Sequence, residues 1–271
     1  MNVTILGCRS GMPADGQAGS GYLVTTDTTR LLLDCGPGVA TALSAVAEPD
    51  TLDAVVITHA HLDHCYDLLP IGKTLLTSGL RYPAAGEPPQ TEVRIPKVPL
   101  YLPAGTAPLF HQLAALFPVT TAPALDRAFE LAFDIHEYRD GDTFTVGDTE
   151  IHLVLLRHAA PNCGVRIGSR AGTIAYTGDT GRTPALHTLA DGVDLLLAEC
   201  TLSESDSGPH GHLCAEDAAD VAAAASVGQL VLTHFSSADP AWLATSRQRA
   251  AARFSGPVHL ASPGARFPAT A

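Results

Sequence analysis

Thr58-His59-Ala60-His61-Leu62-Asp63-His64 sets three imidazoles and one carboxylate within six positions. Directly before it runs Asp53-Ala54-Val55-Val56-Ile57, an apolar, β-branched stretch that reads as a buried strand. The strand therefore delivers a cluster of donor groups at its end. On a turn leading into a helix, His59 and His61 point to one side and Asp63 and His64 to another, so the two pairs suit two adjacent ions better than one. Neutral imidazole and carboxylate are the donors that divalent zinc, manganese or iron prefer, and chance seldom packs four of them behind a buried strand.

Towards the N-terminus, residues 3–8 and 22–25 read as strands around a stretch from Arg9 to Gly21 that is rich in turn formers and can approach a ligand closely. Arg30-Leu31-Leu32-Leu33-Asp34 is a further strand, ending at Cys35-Gly36-Pro37-Gly38, where Pro37 fits the first turn of a helix over 38–47. Asp34 falls at a strand end on the histidine side. It reads as the carboxylate that accepts the second N–H of a ligating imidazole, in preference to a ligand itself. Towards the C-terminus, 65–76 reads as largely helical despite Pro70 and Gly72, and the stretch after Gly79 breaks every periodicity. Its Pro and Gly content fits either a mobile lid over the site or a tolerated surface insertion. A strand at 99–102, a helix at 107–117 and a strand-rich region at 133–156 follow. His111, His136, His152, His187 and His259 lie inside these patterns without ligand-type neighbours and read as structural or exposed.

Three later positions repeat the theme of a polar donor at the end of an apolar strand. His158 follows Leu155-Leu156-Arg157, Asp179 lies in the glycine-flanked turn Gly178-Asp179-Thr180-Gly181 after Thr173-Ile174-Ala175-Tyr176-Thr177, and His234 follows Gln229-Leu230-Val231-Leu232-Thr233. Both His59 and His234 complete a Thr-His pair behind an apolar run, which points to two related halves meeting at one site. With the first cluster, His158, Asp179 and His234 complete two sets of ligands.

Composition sets the frame. A chain of 271 residues with 46% hydrophobic content supports a sizeable core. No apolar run reaches the roughly 18 residues that a membrane span needs, and the chain starts at once with a strand pattern, so a cytoplasmic protein is expected. Six scattered cysteines without CxxC spacing read as reduced thiols, with Cys65 and Cys200 beside candidate site residues. The net charge of −12 disfavours long nucleic acid as a partner.

The order HxHxDH, His158, Gly-Asp179-Thr and Thr-His234 resembles the metallo-β-lactamase fold superfamily over nearly the whole chain. The resemblance implies an α/β fold, a four-layer αββα sandwich, in one domain over 1–271, with a two-metal site at the sheet edges. It would give His59, His61 and His158 to one ion, Asp63, His64 and His234 to the other, and Asp179 to both. Two divalent ions, Zn2+ in the first place with Mn2+ or Fe2+ as alternatives, would hold a bridging hydroxide as the nucleophile. A homodimer is also implied.

Two further residues point to a branch. Glu199 ends the strand Leu195-Leu196-Leu197-Ala198, and His212 precedes a helix in Gly211-His212-Leu213-Cys214. This looks like the paired Glu and His of the RNase Z-like branch, which contains tRNA 3′-end endonucleases and small cyclic-nucleotide phosphodiesterases. If Glu199 keeps His212 protonated, the imidazolium can donate a proton to a departing alkoxide; the alternatives are that His212 caps the helix or that His210 takes the role. Asp63, Glu199 and His212 are thus the catalytic candidates. The endonucleases' long tRNA-clamping arm has no room between His158 and Asp179. The expected activity is therefore hydrolysis of a small, cyclic nucleotide-like phosphodiester, with residues 81–98 and 203–211 supplying specificity. An ester, thioester or lactone hydrolase using the same two ions, and a tRNA 3′-processing endonuclease, are the alternatives.

Overall fold

The computed structural model describes residues 1–81 and 83–269. Six strands, β1 (Asn2–Gly7), β2 (Gly21–Thr25), β3 (Arg30–Leu33), β4 (Ala54–Val56), β5 (Val98–Pro103) and β6 (Phe133–Tyr138), pair in sequence order into a first sheet. The chain then crosses over at the turn around Asp140-Gly141-Asp142. A second sheet follows from β7 (Thr143–Val146), β8 (Thr149–Leu156), β9 (Asn162–Ser169), β10 (Gly172–Tyr176), β11 (Leu195–Glu199), β12 (Gln229–Thr233) and β13 (Val258–Leu260). The last strand, β14 (Arg266–Pro268), returns to pair with β1.

Side chains alternate across each strand, and this decides the layers. Leu31 and Leu33 of β3 join the core between the sheets, with Val3, Ile5, Tyr22 and Val56. Leu32 faces the other way, with Leu23 and Val55, into a second core under α1 (Val39–Ser44), α2 (Leu62–Cys65), α3 (Leu68–Thr77), α4 (Ala107–Ala115) and α5 (Ala128–Leu131). On the far side, α6 (Ala185–Ala190), α7 (Ala215–Ala224) and α8 (Pro240–Ala251) cover the second sheet. The result is the αββα sandwich expected from the motif order.

Two local expectations are refined. Residues 65–76 are largely helical, as expected, but in two pieces: α2 ends at Cys65 and α3 starts at Leu68, and between them Asp67 accepts the backbone N–H groups of Gly38 (2.8 Å) and Ala40 (2.9 Å). Pro37 stands ahead of α1, whose N-terminal flank is Gly38 at φ 92°. Within α3, Pro70 falls in the first turn, where its missing N–H costs nothing, and Gly72 lies against the Phe133 ring, which an added Cβ would meet at 2.7 Å.

Parallel pairing of β3, β4 and β5 points their C-terminal ends in one direction, and β10, β11 and β12 are likewise parallel. Thr58-His59 follows β4 and His234 follows β12, so each sheet contributes one Thr-His pair to a common edge. The loop ahead of β5 lies at the opposite end. Its Val93 is buried in the helix-side core, Gln90 Nε2 donates to the carbonyls of Gly79 and Glu92, and Arg127 holds Glu92 and the Thr91 carbonyl. Among its described residues the loop is a packed insertion away from the donor cluster. Of the two alternatives for the stretch after Gly79, this is the surface insertion and not the lid, and it places 81–98 away from the donors, contrary to the expectation that this stretch supplies specificity; Tyr82 lies outside the described residues.

Candidate metal centre

The nine candidate site residues come together in three overlapping donor groups: His59, His61, His158 and Asp179; Asp63, His64, Asp179 and His234; and Glu199, His212 and His234. Local geometry explains the first motif. His61 has extended backbone just ahead of α2, so the extended stretch sets His59 and His61 on the same side, while Asp63 and His64 occupy the first turn of the helix.

Donor spacing provides a test of fit. Tetrahedral bonds of 2.0–2.1 Å place neighbouring donor atoms about 3.3–3.4 Å apart. In the first group, His61 Nδ1 lies 3.1 Å from both His59 Nε2 and His158 Nε2, and Asp179 Oδ2 lies 3.7 and 3.9 Å from His59 and His158. In the second, His64 Nε2 is 3.2 Å from His234 Nε2 and 3.2 Å from Asp179 Oδ1, while Asp63 Oδ2 is 3.2 Å from His234 Nε2. Asp179 Oδ1 is buried with no hydrogen-bond partner. Such an oxygen, ringed by imidazole nitrogens, suits a cation.

The opposite ring nitrogens settle which lone pairs face inward. His64 Nδ1 donates to Asp34 Oδ2 at 2.7 Å, and His158 Nδ1 to the Gly211 carbonyl at 3.0 Å. Thr58 Oγ1 donates to Asp34 (2.9 Å to Oδ2) and so accepts from His59 Nδ1 at 3.1 Å. All three rings therefore turn Nε2 towards the centre. Asp34 is no ligand. Fully buried, it gathers His64, Thr58 N–H and O–H, and the Tyr176 hydroxyl at 2.8 Å. Replacing it with alanine leaves those donors unpaired in the core, and we expect a loss of about 3–5 kcal/mol in denaturant unfolding of the metal-free protein. A change under about 1 kcal/mol, the usual net worth of one hydrogen bond, would disprove that role.

Electrostatics in the metal-free site divide the imidazoles: His59 and His61 are ready donors, whereas His64 would have to release a proton to become one. Burial, helped by neighbouring imidazoles, lowers the pKa of His59 and His61, so both stay neutral and available. His64 is the reverse: against burial, the charges of Asp179 and Asp34 hold it well above the usual imidazole range. Burial works to raise Asp179 as well, yet His234 and His64 keep it well below the usual carboxylate range. A positive charge at this place is thus favoured before any ion is considered.

Glu199, fully buried at the end of β11, accepts from Thr180 N–H (2.7 Å) and His212 Nδ1 (2.9 Å) through Oε1. The His212 ring packs 5.1 Å from that of His158 and 5.9 Å from that of His234, beside both donor groups. His210 instead pairs with Asp206 at 3.2 Å on an exposed loop and stacks outside His212. That loop is pinned by Trp242 Nε1 and Arg249 Nη1, both donating to Ser203. The cysteines take no part: all six are buried and unpaired, and Cys65 donates its thiol to the His61 carbonyl at 3.1 Å. His111, His136, His152, His187 and His259 stand outside every donor group among the described residues.

Several contributors escaped the sequence reading. The Gly11 N–H donates to Asp63 Oδ2 at 2.7 Å, the Tyr138 hydroxyl to the Ile57 carbonyl at 2.6 Å, and Thr201 stands between Glu199 and His234. Tyr176, whose hydroxyl donates to Asp34, was missed as well; its signal was a polar tip inside an otherwise apolar strand.

A fold of two sheets with this donor set at their shared edge defines a metallo-hydrolase scaffold, and comparison with known proteins agrees. The model of the beta-lactamase superfamily domain matches residues 29–235, and the chain belongs to that superfamily. Within it, the relatives place the chain in the RNase Z-like branch. It is 34% identical over 269 residues to the uncharacterized protein Rv1339 of Mycobacterium tuberculosis, covering 96% of this chain and 89% of that one. Identity to a ribonuclease Z of Mycobacterium bovis is 30% over 291 residues, with 96% and 95% covered. The crystal structure of the metallo-beta-lactamase fold protein YhfI from Bacillus subtilis superposes with a TM-score of 0.80 at 25% identity over 98% of each chain.

Proposed function

We propose that this chain is a binuclear metal-dependent phosphodiesterase acting on a small, cyclic nucleotide-like phosphodiester. His59, His61 and His158 would hold one ion, Asp63, His64 and His234 the other, and Asp179 would serve both; zinc suits the nitrogen and oxygen donors. When bound, the ions supply Lewis acidity at a phosphoryl oxygen and activate water. The observation that carries the phosphodiesterase reading is the Glu199–His212 pair beside both donor groups. Burial opposes a charge on His212, but the hydrogen bond and charge of Glu199 raise its pKa above the usual imidazole value. With Nδ1 engaged, Nε2 is left to hand a proton to the leaving alkoxide. A cytoplasmic homodimer belongs to the same proposal, and the six unpaired thiols suit a reducing compartment.

A screen of cyclic nucleotides, bis-nitrophenyl phosphate, thioesters and lactones with the zinc-loaded protein tests this reading. Turnover of the phosphodiesters is expected, and turnover confined to carbonyl substrates would overturn it. The second reading, a hydrolase of esters, thioesters or lactones, is favoured by exposed hydrophobic surface at Leu62 and Tyr66, which flank Asp63 in sequence, and at Met12, next to the Gly11 whose N–H reaches Asp63.

The ribonuclease Z relative raises a third possibility, precursor tRNA. Between His158 and Asp179, however, β9 and β10 are joined by only Arg170 and Ala171, which leaves no arm to grip a tRNA body. With the acidic net charge, precursor tRNA is expected to be bound weakly and cleaved with a kcat/KM below that for a small phosphodiester. Efficient 3′-end cleavage in a gel assay would contradict this.

A further inference from the structure

Thr201 lies two residues beyond Glu199 and makes one hydroxyl serve two partners. Its Oγ1 is 2.7 Å from Glu199 Oε2 and 2.8 Å from His234 Nδ1. A threonine has a single O–H, and an ionised carboxylate can only accept. The proton therefore goes to Glu199, and the hydroxyl oxygen accepts the N–H of His234 Nδ1. That fixes the tautomer: the lone pair of His234 sits on Nε2, 3.2 Å from both His64 Nε2 and Asp63 Oδ2.

The same oxygen fastens the other half of the site. Glu199 Oε2 receives Thr201, while Oε1 receives His212 and the Thr180 N–H. His234 is also held in left-handed backbone at φ 55°, a conformation uncommon for residues other than glycine, though histidine is among those that adopt it most readily, and one that the surrounding contacts help to sustain. The Thr201 contact to the His234 ring is one such constraint; a second runs from Oγ1 to the His234 carbonyl at 3.2 Å.

We propose that Thr201 is a positioning residue that sets the His234 Nε2 lone pair towards Asp63 and His64, on the side of the ring away from the Nδ1 contact with Asp179 Oδ1 at 3.3 Å, and, through the same hydroxyl, the Glu199 carboxylate that holds His212. The inference rests on reading the two donor groups as metal-binding. It predicts a split effect, because the His59–His61–His158 group has no contact with Thr201.

Equilibrium dialysis of the metal-free full chain against Zn2+ reads this without substrate. The parent chain should bind two equivalents. Thr201→Val should bind one of them roughly 10–100-fold more weakly, the usual cost of losing a ligand's outer hydrogen-bond partner, and the other unchanged. Thr201→Ala should show the same split and guards against a packing artefact of valine. Thr201→Ser, which keeps the hydroxyl, should restore both. At saturating Zn2+, Thr201→Val should also lower the ratio of alkoxide-ester to nitrophenyl-ester turnover, as is expected of Glu199→Gln.

Wild-type affinity for both equivalents in Thr201→Val and Thr201→Ala overturns the proposal. So does a loss that serine fails to restore, or a parent chain that binds fewer than two equivalents. Metal loss with an unchanged turnover ratio removes the link to Glu199 and overturns it likewise. A chain that binds two equivalents but cleaves no phosphodiester would sink the proposed function, while the dialysis would still decide the role of Thr201.

Discussion

Asp179→Ala is expected to reduce activity to background and to weaken both metal equivalents together. Its two carboxylate oxygens divide between the donor groups, Oδ2 facing His59 and His158 and Oδ1 facing His64. Each of the other six proposed ligands belongs to only one of the two proposed ion sites. Removing Asp179 should therefore cost more than the roughly 10–100-fold in affinity that loss of a ligand's hydrogen-bond partner costs, and it should do so twice. Metal analysis after exhaustive dialysis is the measurement. His136→Ala is the control: this exposed ring pairs with Asp134 and stacks on Tyr101, and its loss should leave metal content unchanged. Full activity and two retained ions in Asp179→Ala would remove the two-ion assignment.

A substrate-dependent loss is expected from His212→Ala. Nitrophenolate leaves as a stable anion and needs no proton, whereas a ribose-type alkoxide needs one as its bond to phosphorus breaks. General acid catalysis contributes roughly 10²- to 10⁴-fold. The variant should lose a factor in that range on a substrate with an alkoxide leaving group, and only about tenfold or less on a nitrophenyl phosphodiester, with metal content intact. Glu199→Gln should follow in the same direction more weakly, since the amide can still hold the ring while lending it no charge. Equal losses on both substrates would mean that His212 positions the phosphate or supports the fold, and the carbonyl-ester reading would gain ground.

The comparison of residue pattern with structure separates two kinds of information. Donor types, and their placement at the ends of apolar strands, were legible because both are local. An apolar, β-branched run followed by Thr-His is readable at 54–59 and 230–234 alike, and each proved to be a strand ending at the site. The layer order was legible through the resemblance of the motif series, and the alternation of Leu31, Leu32 and Leu33 agrees with it. Helix breaks were less legible. Nothing local shows that Asp67 would leave its own helix to hold the amides of Gly38 and Ala40.

By itself, then, the sequence determined which side chains can bind metal and where strands end, since hydrophobic periodicity and residue chemistry act over a few neighbours. Only the tertiary structure decided how those ends meet. β4 and β12 lie in different sheets, and the contact of His64 with His234 spans 170 positions. Tertiary packing also placed the 79–98 insertion at the far end of β5 and brought Asp34 and Thr201 into hydrogen bonds with the His64 and His234 rings. Asp34 and His234 both take left-handed backbone, φ 56° and 55°, uncommon for any residue but glycine although Asp and His are among those that adopt it most readily. Buried hydrogen bonds from distant segments hold them there, and no short window of sequence contains those partners.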